Sequence, residues 1–72
     1  MPDSVYKIID VIGTSATSWE EAARLAVDTA AKTLDDLRVA EVVELDMRID
    51  DNKIVAYRVK VRLSFKYHGE AL

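Results

Sequence analysis

Hydrophobic and polar residues divide the chain into one helical segment flanked by segments that alternate like strands. Between Ser18 and Leu37, apolar residues recur at spacings of three and four, which predicts an amphipathic helix with one buried face. The apolar positions are Trp19, Ala22, Ala23, Ala26, Val27, Ala30, Ala31, Leu34 and Leu37. Ser18, followed three residues later by Glu21, predicts a capping box at the helix start. The many alanines predict that a sheet approaches this helix closely.

Strand-like patterns flank the helix on both sides. The predicted strands are Val5–Ile12, Arg38–Ile49 and Ile54–Tyr67. Gly13–Thr17 predicts a turn into the helix, and Asp50–Lys53 predicts a polar hairpin turn. The two ends, Met1–Ser4 and His68–Leu72, are expected to lie outside the packed core.

Strict alternation along the second and third strands predicts which residues share a face. One face of the second strand receives Val39, Val43, Leu45, Met47 and Ile49, with Glu41 as an exception among them. Ala40 and Val42 are then expected on the charged face. On that charged face, an acidic stripe (Glu44, Asp46) is expected to meet a basic stripe (Arg58, Lys60, Arg62). Such cross-strand pairs would fix the register of the hairpin.

The element order β-α-β-β limits the topology. A crossover helix makes the first two strands run in the same direction, and the hairpin reverses the third. An all-antiparallel sheet then requires strand order 1-3-2, with the helix on one face, and the fold class is α+β. The first and second strands are open edges, and no second layer covers the other face of the sheet. Both features predict assembly with further copies of the chain.

Length and composition lead to the same expectation. The 72 residues are expected to form one domain, 1–72, with an ordered core of about 4–66. A chain of this size buries only about 60% of its unfolded surface, and without cysteine it has no disulfides to add stability. The net charge of −3 argues against a nucleic-acid binder, and no apolar run predicts a membrane span. With no export signal visible, a cytoplasmic location is expected.

Few residues suggest chemistry. The chain has no cysteine, its single histidine, His68, lies in the tail, and no carboxylate pair is spaced for acid–base catalysis, so an enzyme is not predicted. Asp10 and Glu41 interrupt apolar strand positions. Each is expected either near water at a sheet edge or, as we favour, paired at a subunit interface. Trp19 is expected to be a core residue or an interface anchor. Asp50-Asp51-Asn52 superficially resembles a calcium loop but lacks the rest of an EF-hand.

The chain resembles the dodecin family over about residues 4–66. The resemblance rests on these motifs: Val5-Tyr6-Lys7, Gly13-Thr14-Ser15, Ser18-Trp19-Glu20-Glu21-Ala22, Thr33-Leu34, Leu37-Arg38 and Glu41-Val42-Val43-Glu44. It implies a β-α-β-β fold and a hollow shell of twelve copies with cubic (tetrahedral) symmetry. It also implies a function in storing or quenching flavins rather than in catalysis.

Two positions depart from the flavin-binding pattern of that family. The resemblance places a flavin-stacking tryptophan where this chain has Val39, and a flavin-contacting glutamine where it has Arg58. Valine offers no ring to stack on a flavin such as FMN, FAD or riboflavin. These departures resemble a branch of the family that lacks the tryptophan and is associated with calcium. No metal ligands can be transferred residue by residue, and Glu41 and the residues around the helix cap remain candidates.

The sequence therefore leaves three functions to compare. The first is a non-catalytic, homododecameric shell that stores or sequesters a small ligand or an ion such as calcium. The second is a structural or partner-binding assembly without a ligand, in which Val39 and Arg58 are packing and ion-pair residues. The third is a flavin store with an altered site.

Overall fold

The computed structural model describes residues 4–67, which form one helix and three strands. The elements are β1 (Tyr6–Ser15), α1 (Trp19–Ala31), β2 (Leu37–Asp50) and β3 (Lys53–Lys66). Both β1 and β2 pair antiparallel with β3, so the sheet order is β1-β3-β2. The predicted α+β class, element order and strand order are confirmed. The predicted ends Met1–Ser4 and His68–Leu72 lie outside the described residues except for Ser4.

Helix α1 begins as predicted but ends early. The Ser18 hydroxyl accepts a hydrogen bond of 3.0 Å from the backbone N–H of Glu21, which caps the first turn. The helix stops at Ala31, so its predicted extension to Leu37 is wrong. Its last turn contains no basic residue, and two carboxylates, Asp35 and Asp36, follow where the helix dipole disfavours negative charge. Asp36 has a φ of 60°, a left-handed conformation that turns the chain into β2.

Strand β1 is longer than predicted because Gly13–Ser15 belong to the strand and not to a turn. Gly13 lies where α1 crosses β1. A Cβ atom added at Gly13 would collide with the carbonyl oxygen of Ala22 and approach the Cβ of Ala26 to 3.0 Å. Glycine is therefore required here for close helix–strand packing, which the alanines of α1 allow from the other side.

The β2–β3 hairpin closes through the polar turn that the sequence predicts. Asp51 and Asn52 both have positive φ, 53° and 59°, as a two-residue type I′ turn requires. The strands reach this turn on both sides, so β2 begins and ends one residue outside its predicted limits. Strand β3 begins one residue earlier than predicted and ends at Lys66.

Two β-bulges near the start of β2 reverse the predicted faces of its first half. Register shifts occur between Leu37 and Val39 and between Val42 and Glu44. Each bulge inserts one residue and so exchanges the faces of the residues on its two sides. Ala40 pairs with Leu63 and Val42 with Val61, so both lie on the helix side of the sheet. Their predicted place on the charged face is wrong.

The core is small and lies between α1 and the central strand. Its buried residues are Ala22, Ala26, Val59, Val61 and Leu63. The helix covers β1 and β3 and leaves the helix side of β2 exposed. The molecule is elongated, with a radius of gyration of 15.0 Å where about 11 Å is typical of this length. It exposes 5580 Å², more than the roughly 4,500 Å² expected for a compact monomer of this mass. Within residues 4–67, no helix is long and apolar enough to span a membrane.

Candidate functional site

The sheet surface that faces away from α1, here called the outer face, carries three cross-strand ion pairs. Arg62 donates two hydrogen bonds to the Asp10 carboxylate, at 2.9 and 3.2 Å. Arg58 binds the Asp46 carboxylate in the same two-pronged way, at 2.8 and 3.2 Å. The third pair joins the Lys60 ammonium to Glu44 at 3.5 Å. These six charged side chains of the outer face therefore neutralise one another in pairs within the chain.

Asp10 interrupts the apolar pattern of β1 because it pairs with Arg62 on the neighbouring strand. The hydrogen bond from Arg62 lowers the pKa of Asp10 below its ordinary value, and the nearby positive charges of Arg62 and Lys60 act in the same direction. The same contact raises the pKa of Arg62. The pairing of Asp10 thus lies within the chain.

The basic stripe of β3 meets the acidic stripe of β2, as the sequence predicts. Arg58 lies opposite Asp46, and Lys60 lies opposite Glu44. The hydrogen bond from Arg58 to Asp46, reinforced by the opposite charges, raises the pKa of Arg58. The register of the hairpin is therefore set by charge on one face and by apolar packing on the other.

Glu41 lies on the outer face, not on the apolar face where alternation places it. It is directly opposite Arg62 in the register of β2 and β3. Both side-chain hydrogen bonds of Arg62 go to Asp10 rather than to Glu41. The negative charge of Glu41 nevertheless adds to the rise in the pKa of Arg62, after the contributions of Asp10. Arg62 thus lies between two carboxylates, and only Asp10 is held by short hydrogen bonds.

The two family flavin positions are far apart within one chain. Val39 pairs with Ser64, and its side chain is 58% exposed on the outer face. The bulge between Val42 and Glu44 puts Val39 on the opposite face from Leu45 and Met47. The prediction that these three residues share one apolar face is therefore wrong. Arg58 lies six residues from Ser64 along β3, which corresponds to about 20 Å. Only Val39 and Arg58 of different copies can therefore share one small ligand.

Trp19 fastens the start of α1 to the hairpin. Its indole N–H donates a hydrogen bond of 3.0 Å to the backbone carbonyl of Asp46. Its ring meets Tyr57 edge to face, with centroids 5.1 Å apart. These contacts give Trp19 a role inside the chain, and its role as an interface anchor remains a prediction.

A groove lies between α1 and β1, where the sequence predicts no site. It is open to solvent, has a volume of about 480 Å³, and is bordered by Ile9 and Val11 of β1, by Leu25 and Ala30 of α1, and by Leu34 beyond the helix. No residue that lines it is charged. The one sequence feature that could have indicated this groove is Leu25, an apolar residue that lies outside the predicted apolar stripe of the helix. In the structure its side chain is half exposed.

Residues 4–67 contain no cluster of three or more His, Asp or Glu side chains that could hold a metal ion. The Asp50–Lys53 segment is a tight hairpin turn, as described above. His68 lies outside the described residues. If residues 4–67 contribute to a cation site, they therefore contribute only part of its ligands.

Comparisons with known proteins agree on one family. Residues 5–68 match the family model of the dodecins. A calcium dodecin of Mycobacterium tuberculosis is 56% identical over 63 residues, which cover 88% of this chain and 89% of that protein. The crystal structure of the M. tuberculosis calcium dodecin, described as calcium-chelating with a novel calcium-binding site, superposes with a TM-score of 0.82 at 51% identity, covering 96% of this chain and 99% of that one. Dodecin from Streptomyces coelicolor superposes with a TM-score of 0.89 at 30% identity, covering 97% and 100%. The chain belongs to the dodecin family.

Proposed function

We propose that this chain forms a non-catalytic, homododecameric shell that stores or sequesters a divalent cation such as calcium. The observation that carries the proposal is the 56% identity to a calcium dodecin, over nearly nine-tenths of both chains. Flavin storage fits less well, because neither Val39 nor Arg58 supplies the stacking ring or the amide that the family's flavin site uses.

Assembly is supported by what a single chain leaves uncovered. The core contains five buried residues, and the helix-side residues of β2 remain exposed. β1 and β2 are also open edges of the sheet. Since a chain this small gains little from its own core, burial against other copies is the main stabilisation available to it.

The distribution of carboxylates supports a cation site that several copies share. Calcium takes six to eight oxygen ligands, more than any cluster in the described residues offers. Symmetry-related copies can complete such a site when each supplies one or two oxygens. Glu41 is the outer-face candidate, because the hydrogen bonds of Arg62 are directed to Asp10 and not to it.

Native mass spectrometry of the untagged protein, before and after a calcium chelator, tests this proposal. We expect a mass of twelve chains with bound cations that the chelator removes. Calcium titration calorimetry on the chelated protein then gives the stoichiometry per chain. An assembly of twelve chains that binds no divalent cation would contradict the proposed cation storage but would still support the proposed shell.

Glu41→Gln tests whether the Glu41 carboxylate binds the cation, and Glu44→Gln is its matched control. Both substitutions remove one negative charge from the same face of the same strand, but Glu44 is already paired with Lys60. We expect Glu41→Gln to lower the calcium stoichiometry and Glu44→Gln to preserve it. Equal calcium binding by both variants would exclude Glu41 as a ligand.

The competing proposal is a ligand-free structural assembly, which one observation favours. Arg58 at the family flavin position is occupied by two hydrogen bonds to Asp46 and so acts as an ion-pair residue. This alternative predicts twelve chains whose melting temperature is insensitive to calcium, magnesium and flavin.

A further inference from the structure

One row across the outer face of the sheet places a guanidinium between two carboxylates. Arg62 lies on the central strand β3, where it pairs in register with Asp10 of β1 on one side and with Glu41 of β2 on the other. Side chains directly opposite each other on neighbouring strands have Cβ atoms about 5 Å apart. The side chain of Arg62 can therefore reach either carboxylate, but the same two N–H groups cannot bind both at once.

The structure shows which carboxylate Arg62 binds. Its Nε and Nη2 atoms donate hydrogen bonds of 2.9 and 3.2 Å to the two carboxylate oxygens of Asp10. A two-pronged pair of this kind fixes the direction of the guanidinium as well as holding it by charge. Glu41, in contrast, makes no ion pair with any lysine or arginine of residues 4–67. Asp10 thus holds Arg62 on the β1 side of β3 and leaves the Glu41 carboxylate unpaired within that part of the chain.

We propose that Asp10 is a positioning residue of the cation site, because by holding Arg62 it keeps Glu41 free to bind a divalent cation. The inference rests on the proposed function and specifies what makes Glu41 available. Arg62 is a cation within the chain that competes with the bound ion for the same carboxylate. Asp10 neutralises this competitor and directs it away from Glu41.

The charges of the row explain why this pairing matters for a divalent cation. Two carboxylates and one guanidinium leave one negative charge uncompensated, and Asp10 binds the guanidinium. Without the carboxylate of Asp10 the row is neutral, and Arg62 is free to turn towards Glu41. A guanidinium in that position occupies the Glu41 oxygens and also repels a second cation.

The two bulges of β2 put Glu41 within reach of Arg62. They lie on either side of Glu41, between Leu37 and Val39 and between Val42 and Glu44. A bulge changes the face to which the neighbouring side chains point, so Glu41 lies on the outer face beside Arg62. The irregular backbone of β2 therefore supplies the second carboxylate of the row.

Calcium titration calorimetry on chelated assemblies of Asp10→Asn tests the proposal. Arg62 then loses its acceptor and is expected to pair with Glu41. Because competition from an exposed ion pair is modest, we expect the affinity for calcium to fall about two- to fivefold. Exposed pairs also contribute little to folding, so native mass spectrometry is expected to show the same assembly as for the natural protein.

A second substitution separates a positioning role from a merely structural one. Asp10→Asn combined with Arg62→Gln removes the competitor as well, and we expect it to restore the natural affinity for calcium. A sheet disturbed by the loss of Asp10 would not be repaired by losing Arg62 too. Arg62→Gln alone is expected to bind calcium at least as tightly as the natural protein. This last measurement tests the proposal even if Asp10→Asn does not assemble, since weaker binding would contradict it.

Asp46→Asn is the matched control for the loss of a negative charge. It removes the acceptor of an equivalent two-pronged pair on the same face, in which the donor is Arg58. Arg58 lies four residues from Arg62 along β3, about 13 Å, and cannot reach Glu41. We therefore expect Asp46→Asn to bind calcium like the natural protein. Equal weakening in Asp46→Asn and Asp10→Asn would show that the net charge of the face, and not the position of Arg62, sets the affinity.

The remaining outcomes distinguish this inference from the proposed function. Natural affinity in Asp10→Asn, or no recovery in the double variant, would overturn the positioning role and leave the cation storage standing. Unchanged calcium binding by Glu41→Gln would also overturn it, because Asp10 is proposed to act through Glu41. A natural protein that binds no divalent cation would instead contradict the proposed function, and this inference with it.

Discussion

At the scale of single residues, Gly13 shows how closely α1 packs on β1. The backbone carbonyl of Ala22 occupies the space that a side chain at position 13 would need. A glycine shortly before a helix is typical of a turn. In the structure, however, Gly13 lies within strand β1. Only the crossing of α1 over β1 shows that space, and not backbone conformation, requires glycine here, since no glycine in residues 4–67 has positive φ.

We predict that Gly13→Ala lowers stability. The added methyl group must push α1 away from β1, and overpacking of this kind costs about 1–3 kcal/mol. The measurement is the melting temperature at a fixed protein concentration, because stability of an assembly depends on concentration. Thr14→Ala, on the exposed face next to it, is the control and should melt close to the natural protein. An unchanged melting temperature for Gly13→Ala would show that the helix can shift without cost.

The Asp10–Arg62 ion pair predicts that the stability of the protein decreases at acidic pH. The folded protein has a pKa for Asp10 below its unfolded value of about 3.9. The stabilisation from this carboxylate is therefore complete above that pH and is lost as pH falls through the folded pKa. We expect Asp10→Asn to lose less stability than the natural protein between neutral pH and pH of about 3. Melting curves across this range, with Asp28→Asn on the outside of α1 as control, provide the comparison. Parallel curves for Asp10→Asn and the natural protein would contradict the assignment.

At the scale of elements, turn chemistry follows from the sequence more reliably than helix ends. The Asp51-Asn52 turn and the Ser18 cap are local, and both appear where the sequence predicts them. The residue at which α1 ends does not depend on local sequence alone. Its apolar spacing continues to Leu34 and Leu37, but these residues pack beside the sheet after the chain has left the helix. Leu37 is the first residue of β2, and Leu34 borders the groove.

We predict opposite effects from two substitutions in the hairpin turn. Asn52→Gly should preserve or raise the melting temperature, because glycine adopts a φ of 59° without strain. Asn52→Val should lower it, since a β-branched residue in the left-handed region costs about 1–2 kcal/mol. The two variants serve as controls for each other, because both remove the same amide. If both behave alike, the amide and not the backbone conformation sets the stability of the turn.

At the scale of the whole molecule, the two positions that the family resemblance links to flavin, Val39 and Arg58, are separated within one chain. Val39 and Arg58 lie on the same outer face but about 20 Å apart along one chain. Their effect on a ligand therefore depends on how copies are arranged.

We predict that Val39→Trp combined with Arg58→Gln binds flavin more tightly than the natural chain does. An aromatic partner adds about 0.5–1.5 kcal/mol beyond the area it buries, and 1.4 kcal/mol corresponds to a tenfold change in affinity. Quenching of flavin fluorescence during titration measures the gain. Val43→Trp with Arg58→Gln is the control, because it places the same ring at a bulge residue of the same strand. Equal quenching by the control would show that any added tryptophan suffices.

The sequence alone determined the α+β class, the strand order, the charge pairing of the hairpin and the expectation of assembly. These features depend on local spacing and on connection rules, both of which can be read from the order of residues. The resemblance to the dodecins also came from the sequence, through motifs that retain their spacing over almost the whole chain.

Only the tertiary structure decided the faces of β2, the end of α1 and the place of Gly13. A bulge moves every following side chain to the other face, and no residue type in β2 predicts where a bulge occurs. Alternation therefore predicts the wrong face for Glu41 and Val39, and the correct face for Glu44 and Asp46, which lie beyond the second bulge. The uncharged groove between α1 and β1 likewise depends on the position of the helix over the sheet, because periodicity shows which residues are apolar but not which of them remain uncovered.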